Sequence, residues 1–220
     1  MGASRGLGAA VAQHLSARGD HVLAVSRSPA IAGDWIQADV AEDAGLDTIV
    51  ETIAGRDLDG VLYMGGTWER GAFTDEYDFL NSPRAETRHV IEVNLTAAIL
   101  LVQALATNLQ KAENPKVLLM GSMSGLPHTA TREVANTAAM FGLQGAAEAL
   151  QLALRKAKIG VSVINPGNMA TPEVEQDIAE DRIGPQTPIA LVELLRTVDY
   201  LLETGPTAVP TVINLNQLTG

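Results

Sequence analysis

Short, unbroken apolar runs separated by helical segments of ten or more residues leave this chain few folds to choose from. HVLAVS at His21–Ser26, GVLY at Gly60–Tyr63, KVLLM at Lys116–Met120 and VSVI at Val161–Ile164 are apolar on consecutive residues, not on alternate ones. A strand of that kind is buried on both faces, which requires a parallel sheet with helices above and below. The intervening segments supply those helices. Leu7, Val11 and Leu15 mark one face of a first helix. Further helices are expected over Leu46–Ala54, Ala85–Leu109, Asn136–Lys156 and, from a proline in the first turn, Pro188–Leu202. A last strand is expected over Ala208–Leu215, at an edge because of Pro210. The expected fold is therefore α/β, a doubly wound parallel sheet of Rossmann-like type, formed as one domain over residues 1–220.

Such a sheet binds its ligand beyond the carboxyl ends of the strands. The loops after residues 5, 26, 63, 121 and 165 would line that crevice, with the polar stretch Thr67–Arg84 as a surface excursion. The first of these loops, MGASRGLG, places Gly2, Gly6 and Gly8 at the mouth of the first helix. Glycine permits a tight turn and close backbone approach, and the helix N-terminus offers free N–H groups to a diphosphate. An ordinary glycine turn would read the same. Arg27 at the end of the His21–Ser26 strand and Arg5 inside the turn could meet a ribose 2′-phosphate, which points to NADP rather than NAD. Asp39 could hold an adenine amino group or simply cap a helix.

Composition narrows the partners. Twenty-six acidic residues against 15 basic ones, with aromatics at 4%, argue against a nucleic-acid groove or an anionic membrane surface. The chain has no cysteine, and its four histidines are scattered, so no metal site is expected. No apolar run of the length of about 18 residues needed to span a bilayer is read, and a cytoplasmic protein is expected.

Together these motifs resemble the short-chain dehydrogenase/reductase family over nearly the whole chain. GASRGLG is similar to its TGxxxGxG cofactor turn, with Met1 at the threonine, and Asp39-Val40 to its adenine-side Asp-Val. Tyr63-Met64-Gly65-Gly66 stands at its NNAG, and Pro166-Gly167-Asn168-Met169-Ala170-Thr171 at its PGxxxT motif. The resemblance implies an NADP(H)-binding oxidoreductase acting on a carbonyl or alcohol. Cofactor contacts would come from Gly2, Ser4, Arg5, Gly6, Leu7, Gly8, Arg27, Asp39, Val40, Gly65, Pro166, Gly167, Met169 and Thr171. Asn94 in VIEVNLTAAILL and Ser122 in LLMGSMSGL match the family's helix asparagine and catalytic serine.

The family's remaining pair, a tyrosine and a lysine four residues later, falls on Asn136 and Met140. Such a pair shares one helix face, where the cation lowers the phenol's pKa. Asparagine has no proton to exchange near neutral pH, and methionine carries no charge. The three tyrosines stand at 63, 77 and 200, so no shift of register restores the pair. Tyr63 is weighed as a substitute acid against a place in the core, and His128 and Glu133 as acids in the loop before the helix. A non-catalytic NADP(H)-binding sensor or scaffold is the alternative function. The resemblance also implies a homo-oligomer, at least a dimer, through helices 85–109 and 136–156, and a substrate lid over 172–188, whose acidic residues would disfavour an anionic substrate. It finally implies a buried strand ahead of the glycine turn, which this sequence is expected to lack.

Overall fold

The structure, a computed structural model, describes residues 1–218. Among the described residues there are six strands, β1 (Leu23–Ser26), β2 (Asp34–Gln37), β3 (Gly60–Tyr63), β4 (Lys116–Met120), β5 (Gly160–Pro166) and β6 (Val212–Leu215), separated by helices except between β1 and β2. The helices are α1 (Gly6–Arg18), α2 (Asp43–Ile53), α3 (Arg84–Ile91), α4 (Ala97–Leu109), α5 (Val134–Ala153), α6 (Pro172–Ala179) and α7 (Leu191–Glu203). All pairings are parallel: β1 with β2, and β3-β4-β5-β6 in that order. Every residue of β4 and β5 is buried, as strands covered on both faces must be.

The two cores follow the pleat. Val117 and Leu119 of β4 point to one side, with Ile49 of α2, Leu101 and Leu105 of α4 and Leu143 of α5. Leu118 and Met120 point to the other, with Val11 and Leu15 of α1 and Leu194, Val198 and Leu201 of α7. Gly19 ends α1 in the left-handed region at φ 97°, its N–H returning to Leu15 and Ser16.

The expected lack of a first strand is corrected. β1 is formed, is largely buried and pairs with β2 over four residues. The interval between β1 and β3 is also bridged. Gly2 and Ala3 N–H groups donate to the Val25 carbonyl (3.0 and 3.2 Å), the Met1 amine donates to Leu62 (2.8 Å), and Met64 N–H donates to Met1 (3.2 Å). Met1, Gly2 and Ala3 thus pair with the Val25 and Leu62 carbonyls and the Met64 N–H, which anchors the glycine turn.

The expectation that no segment is long and apolar enough to span a bilayer is likewise corrected. Arg84–Leu109 runs as one helix whose best window has a mean hydropathy of 1.8, enough by length and composition. Here Ala97, Leu101, Val102 and Leu109 of that helix are fully buried in the core. Smaller differences lie at the ends. DWIQ forms β2, α5 starts at Val134 instead of Asn136, α7 starts at Leu191, three residues past Pro188, and Pro210 stays outside β6, since it has no N–H for the ladder.

Candidate active site

The carboxyl ends of the strands bring the glycine turn, the β1 end and the β3, β4 and β5 loops to one side. At the turn each glycine has a distinct reason. A Cβ on Gly8 would lie 2.1 Å from the Gly2 carbonyl oxygen, and one on Gly2 (φ 77°) 2.7 Å from Gly65 Cα. Gly6 (φ 55°) faces open space, its nearest neighbour being Glu173 Oε2 at 4.0 Å. Arg5 is the α1 N-cap and makes no side-chain cap bond, so the first-turn N–H groups, flanked by Ser4 and Leu7, are not taken by a side chain. An open, glycine-walled helix N-terminus fits a diphosphate.

Next to it a cleft of about 350 Å³ is lined by Arg27, Gln37, Ala38, Asp39, Glu42 and Thr48. The Arg27 guanidinium is largely exposed and stands 3.8 Å from the Asp39 carboxylate. Asp39 Oδ1 also accepts from Ala41 N–H (3.1 Å), so it caps the turn into α2 while lining the cleft, beside a half-buried Val40. Across the crevice Gly167 N–H donates to Leu215, Met169 is buried and bridges to Ile189, and Thr171 caps α6 by accepting from Val174 N–H.

The loop after β3 and the start of α5 are held together by Asn94. It sits in a single π-helical turn, Glu92–Thr96, between α3 and α4, and such a turn aims a side chain that a regular helix would not. Its Oδ1 accepts from Thr67 N–H and its Nδ2 donates to the Thr67 carbonyl, both at 2.8 Å. Nδ2 also donates to Asn136 Oδ1 at 3.1 Å. Ser122 Oγ accepts from Ser124 N–H (3.2 Å) and lies 3.0 Å from the Ser124 hydroxyl.

The structure places Asn136 and Met140 one turn apart on α5, both buried, with Met140 backbone against Gly125, where a Cβ would come within 2.8 Å. Tyr63 lies in the core. It is 1% exposed, its hydroxyl donates to the Val93 carbonyl at 2.5 Å, and burial pushes its phenol well above the ordinary value, with Asp39 and Glu92 adding to the rise. His128 is exposed on a left-handed residue (φ 68°). Glu133 is 1% exposed, and its Oε1 accepts from Phe73 N–H at 2.8 Å. Burial pushes its carboxyl up, but the Phe73 N–H, the Thr131 hydroxyl and Arg132 outweigh it, so the pKa falls.

Glu69 was not among the residues expected from sequence. It is 5% exposed in the Thr67–Arg84 excursion, and its Oε1 accepts from the N–H groups of Ala135 (2.7 Å) and Asn136 (3.2 Å) at the start of α5. A lone glutamate in a polar loop gives no periodic signal; only its fit to an uncapped helix start marks it. Among the described residues no group of histidines and carboxylates could hold a metal ion.

The family model described as short chain dehydrogenase matches residues 1–182. The chain belongs to that family. It is 29% identical over 175 residues to the 3-oxoacyl-[acyl-carrier-protein] reductase MabA of Mycobacterium avium, covering 77% of this chain and 66% of that one, just under two thirds of its length. It is 26% identical over 194 residues to the corresponding reductase FabG of Escherichia coli K12, covering 82% of this chain and 76% of that one. Among solved structures, a metagenomic short-chain oxidoreductase in complex with NADP aligns with a TM-score of 0.77 at 20% identity, covering 98% and 95% of the two chains. A 4-hydroxyisoleucine dehydrogenase complexed with NADH aligns at 0.80 and 19%, covering 98% and 94%. These likenesses to solved structures carry the fold alone.

Proposed function

We propose that this short-chain dehydrogenase binds NADP(H) and acts as an oxidoreductase on a carbonyl or alcohol substrate. The observation that carries the proposal is the open glycine turn at the α1 N-terminus, with Arg27 at the end of β1. Bound there, the dinucleotide supplies the hydride chemistry. Gly2, Ser4, Arg5, Gly6, Leu7 and Gly8 would hold its diphosphate, Arg27 its 2′-phosphate, and Asp39, Val40 and Gly65 its adenine side. Pro166, Gly167, Met169 and Thr171 would close the nicotinamide side. Ser122 would orient the substrate oxygen, and Asn94 would keep the loop after β3 in place. The 172–188 segment, acidic at Glu173, Glu175, Asp177, Glu180 and Asp181, would act as the substrate lid of a single unit, residues 1–220.

A second reading, a non-catalytic NADP(H) sensor or scaffold, is favoured by a specific observation: Asn136 and Met140 are buried where the acid/base pair would stand. Loss of such a group costs about 10²- to 10⁴-fold in rate. Fluorescence titration with NADPH and NADH, followed by turnover with an aldehyde and ketone panel, separates the readings. Tighter binding of NADPH with measurable oxidation is expected, and turnover lost in Ser122→Ala would sink the sensor reading. Binding without oxidation above the blank would sink the enzyme reading. Absence of binding would sink both.

The assembly reading is a dimer through helices 85–109 and 136–156, supported by Val134, Phe141 and Leu152, which are exposed on α5. Light scattering at micromolar concentration should give the mass of two chains; one chain's mass would remove it. A cytoplasmic location belongs to the same proposal, and cell fractionation tests it.

A further inference from the structure

Two residues joined by a hydrogen bond at the start of α5 each keep one buried polar atom without a partner. Asn136 is 2% exposed, and because Asn94 Nδ2 donates to its Oδ1, the amide is fixed with its Nδ2 turned away, buried and without a partner. Glu69 accepts with Oε1 from the Asn136 N–H, and its Oε2 is likewise buried and unpartnered. A buried donor or acceptor left unpaired is costly, and a pair of them on two residues already bonded to each other marks a place built for a third group. The surrounding bonds are complete enough to hold both residues still: Thr67 on Asn94, Ala135 on Glu69, and Phe73 on Glu133.

We propose that Asn136 Nδ2 and Glu69 Oε2 form a subsite for a hydroxyl group, so that the ligand of this centre is bound as the alcohol and not as the carbonyl. The inference rests on the function proposed above and names which side of the carbonyl/alcohol pair it favours. A hydroxyl oxygen accepts from the amide and at the same time donates its proton to the carboxylate. A carbonyl oxygen accepts from the amide but faces the carboxylate with a second acceptor, which leaves Glu69 unpaired and repels the ligand. Glu133 Oε2 is also unpartnered, but its Oε1 is committed to Phe73, so it anchors the excursion over the subsite. That excursion covers the pair, and ligand entry requires the bonds from Phe73 to Glu133 and from Val134 N–H to the Tyr77 hydroxyl to open.

The test uses cyclohexanol and cyclohexanone as probes and the side-chain amide resonance of Asn136, assigned by its loss in Asn136→Ala, as the readout in cofactor-free protein. A charge-assisted bond gained by the alcohol alone predicts tighter binding of cyclohexanol by about tenfold or more. In Glu69→Gln an amide donor replaces the acceptor, so the preference should narrow or reverse toward cyclohexanone. Equal affinities in the wild-type protein, a cyclohexanone preference, or no movement of the Asn136 amide would overturn the subsite, leaving an internal water as the pair's occupant. A preference unchanged in Glu69→Gln would overturn the role of Glu69. NADPH titrated separately keeps the two readings apart: failure there removes the proposed function, while the alcohol preference is read without cofactor.

Discussion

At the scale of single residues, Asn94 ties the loop after β3 to the start of α5. Its one amide closes two bonds to the Thr67 backbone and a third to Asn136. Asn94→Ala should therefore cost about 1 to 3 kcal/mol, since the mutation leaves a half-buried Thr67 N–H and the buried Asn136 oxygen unpaired. The urea midpoint measures this, and a loss below about 0.5 kcal/mol, the range of an ordinary surface substitution, would show that the loop after β3 does not depend on it. Tyr63 carries the opposite lesson. In a strand the side chains alternate, Val61 and Tyr63 share the face turned to α4, and the phenol is consumed by Val93. Of the two places weighed for it from the sequence, a substitute acid or a core residue, the strand's period gives it the core.

At the scale of elements, the strands and most helices were legible because continuous apolar runs and 3.6-residue periodicity both report burial. The glycine turn was legible from Gly2, Gly6 and Gly8 at the mouth of the first helix, but its use was not, since an ordinary glycine turn reads the same. What could not be read was set by contacts between distant segments. The π-helical turn at Glu92–Thr96 has no compositional mark, and Glu69 earns its place only by meeting the α5 start, 66 residues later at Ala135. The bridging of β1 to β3 by Met1–Ala3 was missed for the same reason. The turn itself gives a sharp prediction. A Cβ on Gly8 would sit 2.1 Å from the Gly2 oxygen, so Gly8→Ala must push apart the N-terminal turn and the start of α1. NADPH affinity should fall by about tenfold or more, the equivalent of at least 1.4 kcal/mol. Unchanged affinity in a folded Gly8→Ala protein would mean that the diphosphate is held elsewhere. Gly6→Ala strains a residue at φ 55° but meets open space, so urea unfolding should show only that strain, about 1 to 2 kcal/mol.

At the scale of the whole molecule, the two parts of the sheet communicate through Met1–Ala3, and that junction makes stability depend on pH. In a chain that starts at Met1, the amine lies between β1 and β3 and donates to Leu62, and burial lowers its pKa from 8.0 to about 6. In the unfolded chain the same amine keeps its ordinary affinity for protons. Between these two values the unfolded state binds the extra proton, so stability rises as pH climbs from about 6 to 8. Below about 6 both states are protonated and the folded chain carries the whole penalty of a buried charge, on the order of 2 kcal/mol; above 8.0 the penalty is gone. Other groups titrate over the same range, so the comparison is between the free chain and one acetylated at Met1. The difference in urea unfolding free energy between the two should change across this window and be flat on either side. Equal pH slopes for the free and acetylated chains would mean that the amine reaches water in the folded protein, and that the junction between β1 and β3 is looser than its hydrogen bonds imply.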